Sequence, residues 1–471
     1  MQSRMTTELL KQGWGDPRVL MAGPWSGSGK TTVTLAILSA LKARGINIAA
    51  AKCGPDYVDP LFHREVLGIQ SRNLDPYFLD QEALCAGLTC GDSRLTLIEG
   101  VMGYYDGVGP QGLYSTYQLA VQTQTPVVLV LPAKGIYQSL QALISGYKNF
   151  RPDSQIRGVI FNQASPYLAS QLAEFAASQG LESLGVLPYA AENFIQSGRL
   201  GLDIQADQAV IADQIDRLGQ LAEQHIDLDK LLALADQAPS LVSYRSCVEE
   251  KAQAQAQAQQ SACPTCVLAL ACDQAFNKIY PENIQILEEA GFQIKYFSPL
   301  DSATLPAGIA ALYLPGGCPE NFAEALVANQ GLRADICQAL KAGLPCWAEH
   351  GGMAYLYQKL AGQPMVGYLP GEVDLADRLQ NFGYGSLKAL KSNPLCPAGE
   401  TLKCHEFHYY QASNPGEDFQ VEKLSGKSMP DGGHAGDRLF ASFAQLYLPA
   451  YPNAARRFYQ LARAGLREEE R

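Results

Sequence analysis

At 471 residues the chain has room for roughly three average domains or two large ones. Apolar residues make up 47% and charged residues 18%, which excludes a disordered or fibrous chain. The balance of 36 Lys and Arg against 47 Asp and Glu, a net charge of −11, argues against a life on nucleic acid or anionic lipid. A small polyanionic substrate stays open, provided local cations bind it.

The N-terminal tail, 1–17, has no long apolar run behind its charges, so it does not read as a secretory signal. No stretch approaches the ~18 apolar residues that cross a bilayer. Twelve scattered cysteines in a chain of this length read as reduced thiols. The expectation is a soluble cytoplasmic protein with neither membrane nor nucleic-acid partners. RVLMAG (18–23) then predicts a buried strand and TTVTLAILSALKARG (31–45) a helix closed by Gly45. INIAAAKCG, LTLIEG, TPVVLVLPAKG and RGVIFNQAS continue as β-rich runs between helical segments. That alternation predicts a parallel sheet covered on both faces, over an 18–245 domain. Residues 246–264, Gln/Ala-rich, read as a linker. Cys263 and Cys266 form a C-x-x-C with no second pair at zinc-ribbon spacing, so coil before a strand is the reading. A second alternation opens at VLALACDQ (267–274) and runs through QIKYFSP, IAALYLPGG and LPCWAEHGG, each followed by a helix or loop. It predicts a second α/β domain over 265–450, with an amphipathic helix and tail over 451–471.

The sharpest local signal is Gly23-Pro-Trp-Ser-Gly-Ser-Gly29-Lys30-Thr31-Thr32, between a strand and a helix. Small residues let backbone N–H groups curl around phosphate oxygens. The lysine reaches the β/γ-phosphates, and the Thr31 hydroxyl suits Mg²⁺. The ATP-binding set is therefore Ser26, Gly27, Ser28, Gly29, Lys30, Thr31 and Thr32. The strict pattern would put glycine at Pro24; here it lies one residue earlier, at Gly23. Three acidic clusters follow at strand ends, where α/β sheets bind ligands: Asp56 with Asp59, Asp75, and Glu99 with Asp106. Each acid alone is more often a turn or cap residue. Beside a phosphate loop, Asp56 and Glu99 read with Thr31 as Mg²⁺ or nucleotide groups, because Mg²⁺ takes one or two carboxylates beside phosphate oxygens.

AGPWSGSGKTT, AKCGPDYVDPLFH, RNLDPYFL and LIEGVMGYYDG, in that order and spacing, resemble the ATP domain of the cobyrinate a,c-diamide synthase family. The shifted glycine is also how that family and the dethiobiotin synthetases write the loop. CDQAFNKIYPENIQILEEAGFQIKYFSPL, YLPGGCPENFAEALVANQGLR, AEHGGMAYL and HEFHYY resemble its C-terminal class I glutamine amidotransferase domain. The similarity covers roughly 18–450 and extends to relatives that amidate sirohydrochlorin-type tetrapyrroles. It implies a P-loop NTPase-like, dethiobiotin-synthetase-like parallel-sheet domain followed by an amidotransferase-like α/β domain. It also implies glutamine-dependent amidation of two acetates of a corrinoid, with ATP and Mg²⁺, through an acyl phosphate, in a homodimer. Lys30, Asp56, Asp59, Glu99 and Asp106 fall on the family's catalytic positions. Lys52, Tyr57 and Asp75 are expected at the substrate, Lys52 otherwise being a surface lysine at a strand end. Asp273, Phe276, Asn277 and Tyr280 match family positions as well, with plain core packing as their alternative. His405 and His408 divide between substrate contact and structural histidines.

The second half departs from its family. The family's A-E-C-G-G elbow exposes a nucleophilic cysteine, whereas Ala348-Glu349-His350-Gly351-Gly352 puts histidine there. An imidazole cannot form the thioester that a thiolate forms. The family's partner histidine falls in a segment like S-Y-V-H-L-H-F, written here Ser442-Phe-Ala-Gln445-Leu-Tyr447-Leu448. His350, Gln445 and Tyr447 thus mark a degenerate glutaminase. Cys346, four residues before the elbow, is expected to be buried; Cys318 in GGCPE could line the same pocket but has no evident activating histidine. The first reading is an ATP-dependent tetrapyrrole amidoligase fed by free ammonia or by a separate glutaminase subunit. A glutamine-dependent enzyme with a relocated nucleophile and a non-catalytic tetrapyrrole or nucleotide binder are the alternatives.

Overall fold

The computed structural model describes residues 16–89, 93–189, 197–198, 201–202, 208–241, 266–424 and 432–469. The expected 246–264 linker, Cys263 and nearly all of the 1–17 tail lie outside them. The chain divides into two compact units, Met1–Ala254 and Gln255–Arg471.

The first unit is a seven-stranded sheet of β1 (Arg18–Ala22), β2 (Ile48–Cys53), β3 (Ser71–Leu74), β4 (Leu95–Glu99), β5 (Val127–Pro132), β6 (Ile156–Asn162) and β7 (Glu182–Leu187), in the order β3-β2-β4-β1-β5-β6-β7. Every pairing is parallel. Short, continuously apolar runs suit strands buried on both faces, and β1 is buried along its whole length. Its first residue shows how: the Arg18 guanidinium donates to Thr123 O at 2.7 Å, Asp16 O and Pro239 O at 2.8 Å, and Thr125 Oγ1 at 3.2 Å. A buried cation is tolerable when its donors are spent in this way. Helix α1 (Lys30–Ala43) packs against α3 (Gln208–His225), and Gly219 lets the two approach, since a Cβ there would sit 2.5 Å from Ser39 Oγ. The short helix α2 (Val58–Glu65) follows β2 and carries Asp59 in its first turn. Neither β3 nor β7 is evident as an apolar run in the sequence.

The second unit holds a six-stranded sheet built from β8 (Cys266–Ala271), β9 (Phe292–Phe297), β10 (Ile309–Leu314), β11 (Cys346–Glu349), β19 (His434–Gly436) and β20 (Leu439–Ser442). Its order is β9-β8-β10-β11-β20-β19, parallel except at the β19 edge. The α/β reading misses the middle of this unit. After α4 (Gly351–Leu356), strands β12 (Tyr357–Leu360), β13 (Gln363–Pro364), β14 (Leu369–Leu375) and β17 (Tyr410–Ala412) form one small sheet. Strands β15 (Asn381–Ala389), β16 (Thr401–His408) and β18 (Phe419–Lys423) form another. Helix α5 (Pro452–Glu469) returns to the core, burying Ala455, Phe458 and Ala462. Among the described residues, no helix is long and apolar enough to cross a membrane.

Candidate functional site

Strands β1, β2 and β4 end side by side, and the chain leaves each into a loop that carries expected site residues. After β1 the loop from Gly23 to Gly29 turns into α1. Gly29 takes φ 91°, and a Cβ there would overlap the Asn162 amide at the end of β6. Asn162 Nδ2 donates to Ser28 O at 3.3 Å, so β6 braces the loop from outside. Gly23 is equally confined, because a Cβ would collide with Ser28 Oγ. Tyr147 donates to Pro24 O at 2.6 Å, and Tyr104 N donates to Gly23 O at 2.8 Å, pinning the start of the loop. Neither Asn162 nor Tyr147 is among the expected site residues. The signal that could have found Asn162 is a polar residue ending an apolar strand on the ligand-binding edge.

Ser26 and Gly27 are exposed, Thr31 and Thr32 half-buried, and Ser28 and Lys30 buried. Lys30 Nζ donates to Trp25 O at 3.1 Å and to Met102 O at 2.6 Å, and burial pulls its pKa down to about 8. The register of β2 on β4 sets Lys52 opposite Glu99. Thr31 Oγ1 donates to Glu99 Oε1 at 2.6 Å, and Lys52 Nζ donates to the same oxygen at 2.8 Å. Lys52 also pairs with Asp59 and lies 3.6 Å from Asp56 Oδ2. The lysine expected at the substrate, or otherwise on the surface, is thus 4% exposed and held by three acids.

The electrostatics follow from that crowding. Burial pushes Asp56 up to about 6 and Glu99 up to about 7, and neighbouring Asp59 adds to both rises. For Asp59 burial works the same way, but the Lys52 ammonium overrides it and holds the carboxyl below its usual range. Burial would lower Lys52, yet Asp59, Glu99 and Asp56 together raise it well above an ordinary lysine. Two carboxylates held up towards neutrality mark a place short of positive charge. Glu99 Oε2 is buried without a hydrogen-bond partner among the described residues. An orphaned carboxylate oxygen beside the Thr31 hydroxyl fits a hard divalent cation. No group of three or more described His, Cys, Asp or Glu residues forms a metal cage. Mg²⁺ needs none, since phosphates and water complete its shell.

Three expected residues stand outside the Lys52 cluster. Asp75 is buried, with Oδ1 accepting from Tyr77 N at 2.8 Å within its own turn. Asp106 is exposed, with Oδ2 accepting from Gly103 N at 3.2 Å, though its charge still acts on Lys30. Tyr57 is half-buried at the N-terminus of α2.

In the second unit, β11 also ends in a strand-to-helix turn. His350 sits there at φ 50°, ψ −117°, a backbone region that is costly for a residue with a Cβ. Its N–H donates to Ser442 O at 2.9 Å, and its Nε2 lies 3.0 Å from Phe407 O. Burial drives the imidazole well below its ordinary pKa, with Lys278 and His408 both adding to the fall. That direction favours the neutral ring. Rings surround it: Tyr410 at 5.2 Å and His408 at 6.3 Å between centroids. Burial holds His405 and His408 alike at about 4. Gln445 pairs through its backbone with His405, and its amide packs against Gly316. Tyr447 stands edge-on to Tyr280 in the core. Cys346 is fully buried, as expected. Cys318 accepts from Lys278 Nζ at 3.2 Å, but burial outweighs that cation and raises the thiol. Asp273 is consumed by its loop: Oδ1 accepts from Ala275 N and Phe276 N, Oδ2 from Ser298 Oγ and Leu300 N. Phe276 and Tyr280 are core residues and Asn277 is half-buried, so packing accounts for the first two.

Comparison with known proteins agrees with both halves. Residues 19–199 match the family described as CobQ/CobB/MinD/ParA nucleotide binding domain. Residues 267–444 match the one described as CobB/CobQ-like glutamine amidotransferase domain. A protein of Clostridium acetobutylicum named cobyrinate a,c-diamide synthase is 36% identical, over 83% of this chain and 86% of its own length. Proteins of the same name from Syntrophotalea carbinolica (32% identical; 95% and 99% covered) and Methanosarcina acetivorans (34%; 93% and 94%) align over nearly the whole chain.

Proposed function

The chain belongs to the cobyrinate a,c-diamide synthase family, and from that premise we propose that it is an ATP-dependent carbon–nitrogen ligase acting on a corrinoid. It amidates peripheral carboxylates through an acyl phosphate. Its nitrogen arrives as free ammonia or from a separate glutaminase subunit. A sirohydrochlorin-type tetrapyrrole presents similar acids and belongs in the same substrate panel.

In this reading Lys30 leaves Trp25 O and Met102 O for the β/γ-phosphate oxygens, and the loop N–H groups hold the rest of the triphosphate. Thr31, Glu99 and Asp56 would hold Mg²⁺, which when bound would neutralise charge on the phosphates. A substrate carboxylate oxygen attacks the γ-phosphorus, the bond to the departing ADP oxygen breaks, and an acyl phosphate forms. Such a transfer asks the protein for alignment and charge neutralisation rather than covalent help. Ammonia then attacks the acyl carbon, inorganic phosphate leaves, and the nitrogen loses a proton to give the amide.

The observation that carries the reading is the contrast between the two strand-end turns. One keeps a lysine, a threonine and an orphaned carboxylate oxygen together; the other carries a neutral imidazole where a thiolate would be needed. The test is ATP consumption over a panel of tetrapyrrole carboxylates, with glutamine and ammonium chloride at matched concentration and product mass read in the same tubes. Activity with ammonium alone is the expected result. Equal activity with glutamine overturns the nitrogen source, with Cys318 the first suspect. No ATP consumption with any substrate leaves the non-catalytic binder instead.

A further inference from the structure

Two large apolar side chains stand in water at the phosphate edge: Trp25, 46% exposed, and Met102, 42% exposed. They come from different loops, the first after β1 and the second after β4. Successive contacts hold those loops in antiparallel step. Tyr104 N donates to Gly23 O at 2.8 Å, and a Cβ on Gly103 would lie 2.6 Å from Pro24 O. The next pair outward is Trp25 and Met102, whose carbonyls both accept from Lys30 Nζ, at 3.1 and 2.6 Å. Pro24 and Gly103 are buried, so the two exposed residues form the outer lip of this contact. Met102 keeps its place at φ 51°, a backbone region that a residue with a Cβ enters at a cost. Apolar residues exposed singly need no explanation, but a Trp–Met pair on facing loops beside a buried ammonium does.

Position along the nucleotide decides what the lip meets. Lys30 reaches the β/γ-phosphates, so the residues flanking its ammonium lie at the transfer end, with the base at the other end of the triphosphate. The molecule arriving there is the acceptor, whose carboxylate must reach the γ-phosphorus. A corrinoid carries its peripheral carboxylates on short hydrocarbon arms, so the ring system follows the reacting carboxylate to within about 4 Å. A wide, largely apolar ring face then rests on whatever rims the site. An indole is flat and rigid, and a thioether adapts to an irregular surface.

We propose that Trp25 and Met102 form the seat for the ring face of the tetrapyrrole acceptor, holding it by apolar contact while its carboxylate enters beside Lys30. The inference rests on the ligase reading. Neither side chain touches the reacting atoms; both place the substrate that carries them.

The experiment measures equilibrium binding to the full chain of cobyrinate and, in parallel, sirohydrochlorin, with saturating adenosine 5′-(β,γ-imido)triphosphate and Mg²⁺. Binding of the nucleotide analogue alone is measured beside it. Trp25→Ala is expected to weaken the tetrapyrrole roughly 10- to 100-fold, the loss of an aromatic anchor. Met102→Ala should weaken it about fivefold, and Trp25→Phe should recover most of the indole's share. Analogue affinity should stay within about twofold throughout. The melting temperature checks the fold; if Trp25→Ala aggregates, Trp25→Gln removes the ring while keeping side-chain length and should show the same loss. Unchanged tetrapyrrole affinity without the indole overturns the proposal. So does an equal fall in analogue affinity, which would assign the lip to the nucleotide. A changed sedimenting species in Trp25→Ala would assign it to a second copy of this chain and overturn it as well. Failure of the ligase reading looks different: wild type then binds neither tetrapyrrole, and the inference falls with it.

Discussion

Each unit ends a central parallel strand in a turn that feeds a helix, and the two turns have been filled in opposite ways. After β1 the turn is Gly- and Ser-rich, with buried charge on every side: Lys30, Lys52, Asp59 and Glu99 are all inside. After β11 the turn is also tight, with His350 strained at φ 50°, but the rings of Tyr410 and His408 stand against it and one cation, Lys278, acts on it. Charge that is buried and incompletely paired costs stability unless a ligand later repays it. Packed rings carry no such charge, although His350 Nδ1 is also buried without a hydrogen-bond partner among the described residues. The difference lies in the acids: at the phosphate edge of the first unit one buried carboxylate oxygen is left for a ligand, whereas Glu349 beside the second turn has both oxygens engaged.

The largest expected effect breaks the comparison on its charged side. Lys30→Ala should lower ATP turnover by roughly 10²–10³-fold, the loss typical of removing one preorganised contact to developing charge. The fold should survive, since a desolvated ammonium is removed, and the melting temperature checks that. Retained turnover would mean that the first turn is not the phosphate site.

Next in size is the turn's geometry. Gly29→Ala puts a Cβ at φ 91° and against the Asn162 amide, and should cost about 2 kcal/mol of unfolding free energy through backbone strain alone. ATP affinity should fall with it. Asn162→Ala in the same chain removes the steric part, so a double-mutant cycle should show the two changes to be non-additive. Additive losses would mean that β6 does not brace the loop.

How far the sequence carries the argument differs between the same two regions. The phosphate loop is legible because its chemistry demands glycine, lysine and threonine at fixed spacing within ten residues. The Lys52 cluster is not, because Lys52 meets Glu99 only through the register of two strands 47 residues apart in sequence. Asp75 and Asp273 show a related difficulty: a carboxylate that organises its own turn and one that awaits a ligand are written with the same letter, and both of these accept from backbone N–H groups of their own loops. The small sheets between β12 and β18 escape notice because their strands are half-exposed and interrupted by glycine, as in Asn381–Ala389, so neither alternation nor a long apolar run stands out. The elbow's departure from the family pattern was readable, since His350 and Gln445 stand where that pattern has a thiol and an imidazole. Its replacement by stacked neutral rings was not.

That stacking makes a third prediction, now on the uncharged side. His408 packs against Phe443 at 4.8 Å and Tyr410 at 6.0 Å between centroids, and burial holds it at about 4. An unfolded histidine titrates near 6.5. Below that value the unfolded chain gains a proton that the folded one refuses. The stability His408 supplies is therefore complete above about pH 6.5 and drains away as pH falls towards 4. His408→Phe removes this drain while keeping a ring in place. Between pH 8 and pH 5 the variant should gain about 2 kcal/mol on wild type in denaturant unfolding. No pH dependence in the difference would mean that His408 is not held neutral.

The smallest expected effect is the one that sharpens the comparison most. His350→Cys restores the residue the elbow was shaped for, in a backbone conformation that already presents it. Glutaminase should nevertheless stay at background. Gln445 offers an amide, which cannot take the thiol's proton. Glu349, next in the chain, is tied to Tyr313 and Leu446 N, and burial lifts it to about 8, so it too is largely protonated at neutral pH. His408 faces position 350, but a ring held at about 4 is too weak a base to generate thiolate. Ammonium-supported amidation, served by the other turn, should change by less than about twofold. Robust glutamine hydrolysis in this single variant would show that a base for the thiol is present after all, with His408 the first suspect, and would overturn the proposal that the surround of the second turn cannot support the chemistry.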